Sequence, residues 1–142
     1  MAFDLKIVNG DFSFDLAGRI ELVRNNDKVV QEVLKLIGTT LGSDPFNPSY
    51  GVSVTETSVG KVSRASLTTQ QLESEIFTGI ENLQREQQSL VRQQILTAAE
   101  LIEKIDGVSV VQDESDPRQY NIFIELTTKG QTPITVNTAI RA

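Results

Sequence analysis

The ten residues Gly42-Ser43-Asp44-Pro45-Phe46-Asn47-Pro48-Ser49-Tyr50-Gly51 constrain this chain more than any other stretch. Two prolines hold φ at about −65° and push Asp44 and Asn47 towards extended backbone. The bracketing glycines open backbone angles closed to other residues. Such a segment can be neither a regular helix nor a central strand. It reads as a rigid loop that staples the short apolar helix before it to whatever follows, with Phe46 and Tyr50 supplying large apolar surfaces.

The helix before the loop follows Asn25-Asn26-Asp27, residues suited to an N-cap and a first turn. Val29, Val30, Val33, Leu34 and Ile37 recur at helical spacing, which places Lys28, Gln31, Glu32 and Lys35 outward. Gly38, Thr39-Thr40 and Gly42 close it. Ahead of it, Phe3, Leu5 and Ile7, then Phe12 and Phe14, then Ile20 and Leu22 alternate around Asn9-Gly10 and Leu16-Ala17-Gly18-Arg19 turns. This predicts a β-meander covering one side of the core, with a detachable arm gripping a neighbour as the alternative.

Val52 to Val54 suggests a brief strand, and Thr55 to Ser66 reads as an aperiodic connector. A capping box, Thr68-x-x-Gln71, predicts the start of a long helix whose stripe is Leu72, Ile76, Ile80 and Leu83, resumed by Leu90, Val91 and Ile95. The polar run Gln84 to Gln88 is expected to face solvent or a partner, and Gly79 to mark close packing. A second capping box, Thr97-Ala-Ala-Glu100, predicts a third, short helix carrying Leu101, Ile102 and Ile105 and ending at Gly107. Strands follow from Val108, through Tyr120, Ile122, Ile124 and Leu126, to a last strand from Ile134 to Ile140 opened by Pro133. The fold class is therefore α+β: an N-terminal β-meander, about three helices, and a C-terminal antiparallel sheet packed on the long helix, in one domain over residues 1–142.

Composition excludes several functions. With no cysteine there is no disulfide, thiolate metal site or cysteine nucleophile, and with no histidine the commonest general base and metal ligand is missing. A net charge of −6 with scattered basic residues argues against nucleic acid as a partner. No apolar run is long enough to span a bilayer, and the opening Met-Ala-Phe-Asp-Leu-Lys lacks the pattern of a secretory leader, so a soluble protein made in a cytosol is expected.

Val29 to Gly51 resembles the lysozyme-like baseplate wedge family (phage baseplate protein W family) of contractile-tailed phages, which has relatives in type VI secretion baseplates. A helix runs into a Thr-Leu-Gly turn and then Pro-Phe-Asn-Pro-Ser-Tyr-Gly. The better-known branch has an acidic-arginine pair after the turn glycine and an acid-proline-arginine triplet before its C-terminal sheet. Here Ser43-Asp44 stands at the first place and no such triplet at the second, so those charged roles do not transfer. The resemblance implies a structural baseplate component of the virion tail, present in the host cytoplasm during assembly. Its implied partners are other wedge proteins, whose helical core it clamps, and the tail sheath protein, to which it offers a sheet that starts sheath assembly. The residues this singles out are Gly42, Pro45, Phe46, Asn47, Pro48, Tyr50 and Gly51 as interface or structural loop, and Ile134, Thr135, Val136, Asn137, Thr138 and Ile140 as docking strand. That strand is expected to be an edge with no charge within it, open to strand addition or else covered.

The family's name raises glycoside hydrolysis, which requires two suitably spaced carboxylates, one of them in an apolar pocket. Asp44, Glu56, Asp113, Glu114 and Asp116 fall in polar loops, and Glu100 is used by its cap. The Asp113–Asp116 turn lacks the glycine and distal glutamate of a Ca²⁺ loop. No enzyme activity, no metal and no cofactor are expected. The rival function is a small ligand- or peptide-binding module using a cleft between the proline loop and the sheet.

Overall fold

The computed structural model describes residues 3–53, 65–93 and 95–141. Its core is one three-stranded antiparallel sheet under two helices. Strands β5 (Ile102–Gln112), β6 (Gln119–Thr128) and β7 (Pro133–Arg141) lie in that order. Helix α1 (Asn25–Gly38) and helix α2 (Ala65–Leu90) cover one face. Alternation builds the inner layer: Tyr120, Ile122, Ile124 and Leu126 of β6 and Ile134 and Val136 of β7 are buried, while Phe123, Glu125, Thr135 and Asn137 face out. Leu72, Ile76, Ile80 and Leu83 of α2 and Val29, Val33, Leu36 and Ile37 of α1 complete the core. Gly79 sits where α2 crosses the loop: a Cβ there would lie 3.0 Å from Val52 Cγ1 and 3.5 Å from the Gly51 carbonyl oxygen.

The expected architecture needs correcting in three places. First, the described residues hold two α-helices rather than three. The Thr97–Glu100 capping box forms, with Glu100 Oε2 accepting the Thr97 N–H at 2.7 Å, but it closes only one 3-10 turn, Ala98–Glu100. The chain then enters β5 at Ile102, so the residues assigned to a third helix are strand. The reason is local. Register irregularities between Ile102 and Lys104 and between Ile105 and Gly107 break the period-two pattern and leave the apolar residues at helix-like spacing.

Second, the N-terminal region is no meander on the core. It is a three-lobed ribbon of very short strands: β1 (Asp4–Leu5) pairs with β4 (Leu22–Val23), β2 (Ile7–Val8) with β3 (Asp11–Phe12), and Phe14 bridges Ile20. The lobes meet where the backbones of Lys6, Ser13 and Glu21 close a ring of three hydrogen bonds, Lys6 N to Glu21 O, Ser13 N to Lys6 O and Glu21 N to Ser13 O, at 2.8–3.0 Å. Around that ring the Glu21 carboxylate accepts from Lys6 Nζ and Ser13 Oγ. Phe3, Ile7, Phe12, Phe14, Ile20 and Leu22 are all exposed, and among the described residues of this region only Val23 is buried. The ribbon is held to α1 by polar side chains instead. Gln31 accepts from the Ile7 N–H at 2.9 Å and donates to Asp4 Oδ2 and the Leu5 carbonyl, while Lys35 pairs with Asp4.

Third, the helix boundaries and faces shift. Arg24 takes the N-cap position of α1, with Asn25 already at φ 54°. Lys28 and Gln31 are buried and Leu34 is exposed, and Leu36 joins the core in its place. Helix α2 is under way by Ala65, so Thr68 lies within it, and it ends at Leu90, leaving Val91 and Ile95 exposed. Residues 54–64, which hold Val54, Glu56 and most of the expected connector, lie outside the described residues.

Candidate functional site

The proline loop is closed at its base by a parallel bridge between Thr40 and Val52, with Val52 N donating to Thr39 O at 3.0 Å and Leu41 N to Val52 O at 3.2 Å. Gly51 makes this possible: at φ 109° a Cβ would lie 2.5 Å from the Thr39 carbonyl oxygen. Farther out, Asp44 accepts the Phe46 N–H, the Tyr50 N–H reaches Asn47 O, and Asn47 Nδ2 donates to Glu86 on α2. The loop is thus hung on α2 by Asn47 and by the close approach of Gly51 to Gly79. Of its predicted residues, Gly51 is buried, Asn47 and Tyr50 are half-buried, and Gly42, Pro45 and Pro48 are exposed. Phe46 is 97 % exposed, so it stands out from the loop instead of packing under it.

Tyr50 packs against the core edge. Burial, then the negative charges of Glu86, Glu32 and Asp4, push its hydroxyl up to about 12. In the unfolded chain tyrosine ionises at about 10, so there the proton leaves first. Above that pH the unfolded state binds fewer protons than the folded one, and stability is expected to fall as pH rises from about 10 towards about 12. Subtracting the stability curve of Tyr50→Phe from that of the parent isolates this segment. Identical slopes for both proteins over that window would show that the hydroxyl is not held in a desolvated, acidic setting.

The two edges of the large sheet differ in how their backbone groups are used. In the β6–β7 hairpin, Thr128 N donates to Thr132 O, and pairing then runs without a break from Thr127–Pro133 to Gln119–Arg141. Antiparallel ladders alternate, so Ile134, Val136, Thr138 and Ile140 bond to β6, whereas Thr135, Asn137, Ala139 and Arg141 turn their N–H and C=O away from it. Asp113 N to Gln119 O at the far side gives the same phase for β6 and turns Val108, Val110 and Gln112 outward on β5. There α2 intervenes. Glu73 accepts the Val110 N–H at 3.0 Å, Gln87 accepts the Ile102 N–H at 2.9 Å, and Gln84 donates to the Ile102 and Glu103 carbonyls. The glutamine run expected to face solvent or a partner therefore covers the β5 edge in part. Among the described residues no strand pairs with the outer edge of β7.

All six predicted docking residues lie on β7: Ile134 and Val136 point inward and are buried, Thr138 and Ile140 are half-buried, and Thr135 and Asn137 are exposed. The loop and the strand belong to separate features, one hung on α2 and the other at the sheet edge. A groove of about 380 Å³ crosses the outer face of the sheet, lined by Gly107, Val108, Ser109, Phe123, Glu125, Thr135 and Asn137, with no proline-loop residue among them. Sequence reasoning missed Glu73, Gln84 and Gln87 as the guards of β5. Their spacing along the helix, which puts side chains at 73, 84 and 87 on one flank, was the available signal.

Two of the carboxylates considered for hydrolysis are tied into turns. Glu100 is buried in its capping turn. Asp113 is held down to about 2 by the Ser115 hydroxyl and the N–H groups of Ser115 and Asp116. Among the described residues no group of three or more metal-type ligands comes together, and no helix is long and apolar enough to cross a membrane.

No family model matches the chain, and no curated protein matches it. Among solved structures, its fold is similar to that of a protein described as a putative tail lysozyme from Geobacter sulfurreducens, with a TM-score of 0.55 and 14 % identity, covering 81 % of this chain and 88 % of that one. At that identity the likeness establishes a shared fold.

Proposed function

We propose that this protein is a structural baseplate component of a contractile tail or related injection machine, and that it receives a strand of the tail sheath on the outer edge of β7. One observation carries the reading. The β5 edge is partly capped by side chains of α2, while among the described residues the N–H groups of Thr135, Asn137, Ala139 and Arg141 on the β7 edge, and the facing carbonyls, meet no strand partner over nine residues. An open, regular edge of that length is a template for strand addition. The fold likeness to a protein described as a putative tail lysozyme and the resemblance of Val29–Gly51 to the wedge family support the same class.

In this reading each backbone pair formed with the incoming strand adds about 0.5–1.5 kcal/mol net, and the first sheath ring inherits its position from the ring of baseplate subunits. The Pro45–Pro48 loop, with Phe46 held clear of its own chain, is the contact to the helical core of the wedge. This role requires no covalent step; Oε2 of Glu100 and Oδ1 of Asp113 are engaged in turns.

Asn137→Pro tests the docking strand. It removes one outward N–H without touching the bonds to β6, so the monomer keeps its fold. Baseplates carrying it are expected to assemble without sheath when viewed by electron microscopy. Fully sheathed tails built on the folded variant would overturn the proposal.

A further inference from the structure

We infer that the isolated protein pairs the β7 edge with the same edge of a second copy, forming a two-fold symmetric dimer that occupies the docking strand until a partner strand takes its place. This rests on the reading of β7 as an open docking edge, and it adds what fills that edge beforehand.

The strand is self-complementary. An antiparallel partner in full overlap places Asn137 against Asn137 of the second copy, Thr135 against Ala139, and Pro133 against Arg141. The outward-turned groups are those of the odd-numbered residues, and this register sets odd against odd, so each outward N–H meets a carbonyl. The N–H that Pro133 lacks falls at the strand's end, where its loss removes a bond from each end and none from the middle. Any shifted register leaves outward groups without partners, so full overlap is favoured.

Side chains agree with the backbone. On the solvent face the facing pairs are Thr135 with Ala139 and Asn137 with itself, all small or uncharged. On the inner face Ile140, half-buried in the monomer, comes against Ile134 of the second copy, and Val136 against Thr138. The only charge on the strand, Arg141, is already paired with Asp116 at 2.9 Å within its own chain. Nothing on the edge repels a copy of itself, and none of the devices that keep edges apart, an inward charge, a bulge or a mid-strand proline, is present between Ile134 and Ile140. The β5 edge is less suited, because Glu73 and Gln87 already hold the N–H groups of Val110 and Ile102.

One strand pair is a small interface, so association is expected to be weak, with dimer appearing by sedimentation at about 0.1–1 mM protein. Amide hydrogen exchange gives the site. With rising concentration, Thr135, Asn137 and Ala139 are expected to gain protection, while Ile134, Val136 and Thr138, bonded to β6 throughout, do not change. Asn137→Lys and Asn137→Asp each put like charges together on the two-fold axis and are expected to be monomeric, yet an equimolar mixture of the two is expected to dimerise again. Both substitutions lie on an exposed position and preserve the backbone, so both variants fold. A parent protein that stays monomeric through about 1 mM, or a dimer whose protection falls outside the alternating β7 amides, or a mixture that fails to dimerise, overturns the inference. None of these results affects sheath docking, which the particle assay reads separately, and sheathless particles from Asn137→Pro leave the dimer result standing.

Discussion

Gly51→Ala is expected to lose about 2–6 kcal/mol of unfolding free energy, combining about 1–3 for a strained φ and about 1–3 for overpacking. The position has no slack. Its φ of 109° is unfavourable for any L side chain, and an added Cβ would sit 2.5 Å from Thr39 O and 2.9 Å from Leu41 N, both backbone atoms of the loop's own closing bridge. Relief would require opening the Thr39–Val52 pairing, and that would move Val52, a core residue, away from Gly79 on α2. Equilibrium urea unfolding measures the loss. A change below about 1 kcal/mol would mean that the loop base is not locked as described.

Gln87→Leu is expected to cost about 2–5 kcal/mol although it replaces a polar side chain by an apolar one of similar size. Gln87 is 3 % exposed and joins three elements: its Oε1 accepts the Ile102 N–H at the start of β5, and its Nε2 donates to Glu32 on α1 at 2.7 Å. Leucine leaves a buried backbone donor unpaired and takes a donor from the Glu32 carboxylate, which then keeps Lys28 at 2.6 Å. Each such orphan costs about 1–3 kcal/mol, more where a charge is involved. Gln88→Leu, at an exposed neighbouring site, is the control and is expected to stay within about 0.5 kcal/mol of the parent. Equal effects at the two positions would refute the assignment of Gln87 as a buried tie.

Periodicity located the parts of the fold that depend only on near neighbours along the chain. Leu72, Ile76, Ile80 and Leu83 recur at helical spacing and are buried. Tyr120, Ile122, Ile124 and Leu126 alternate and line the inner face of β6. Periodicity failed where a strand is irregular, because two register shifts in β5 imitate a helix. It failed again where polar side chains take positions usually held by apolar ones. Gln31 and Gln87 looked like part of a solvated face, yet each is buried against groups distant in sequence, Gln31 on Ile7 and Gln87 on Glu32. The N-terminal phenylalanines misled in the opposite sense: Phe12 lies in a short strand and Phe14 in a bridge, but these pair only within the N-terminal region and leave the rings exposed.

The amino-acid sequence on its own determined where the chain must turn, which faces of α2 and β6 are apolar, and that histidine and cysteine chemistry is absent. Those properties follow from backbone sterics, side-chain spacing and composition, all of which are local. Only the tertiary structure decided which sheet edge is capped and which is open. A strand's unused N–H and C=O groups are identical in kind whatever the residue, and whether they stay unused depends on what another part of the chain brings alongside. Here α2 brings Glu73, Gln84 and Gln87 to β5, and the described residues bring no pairing strand to the outer edge of β7.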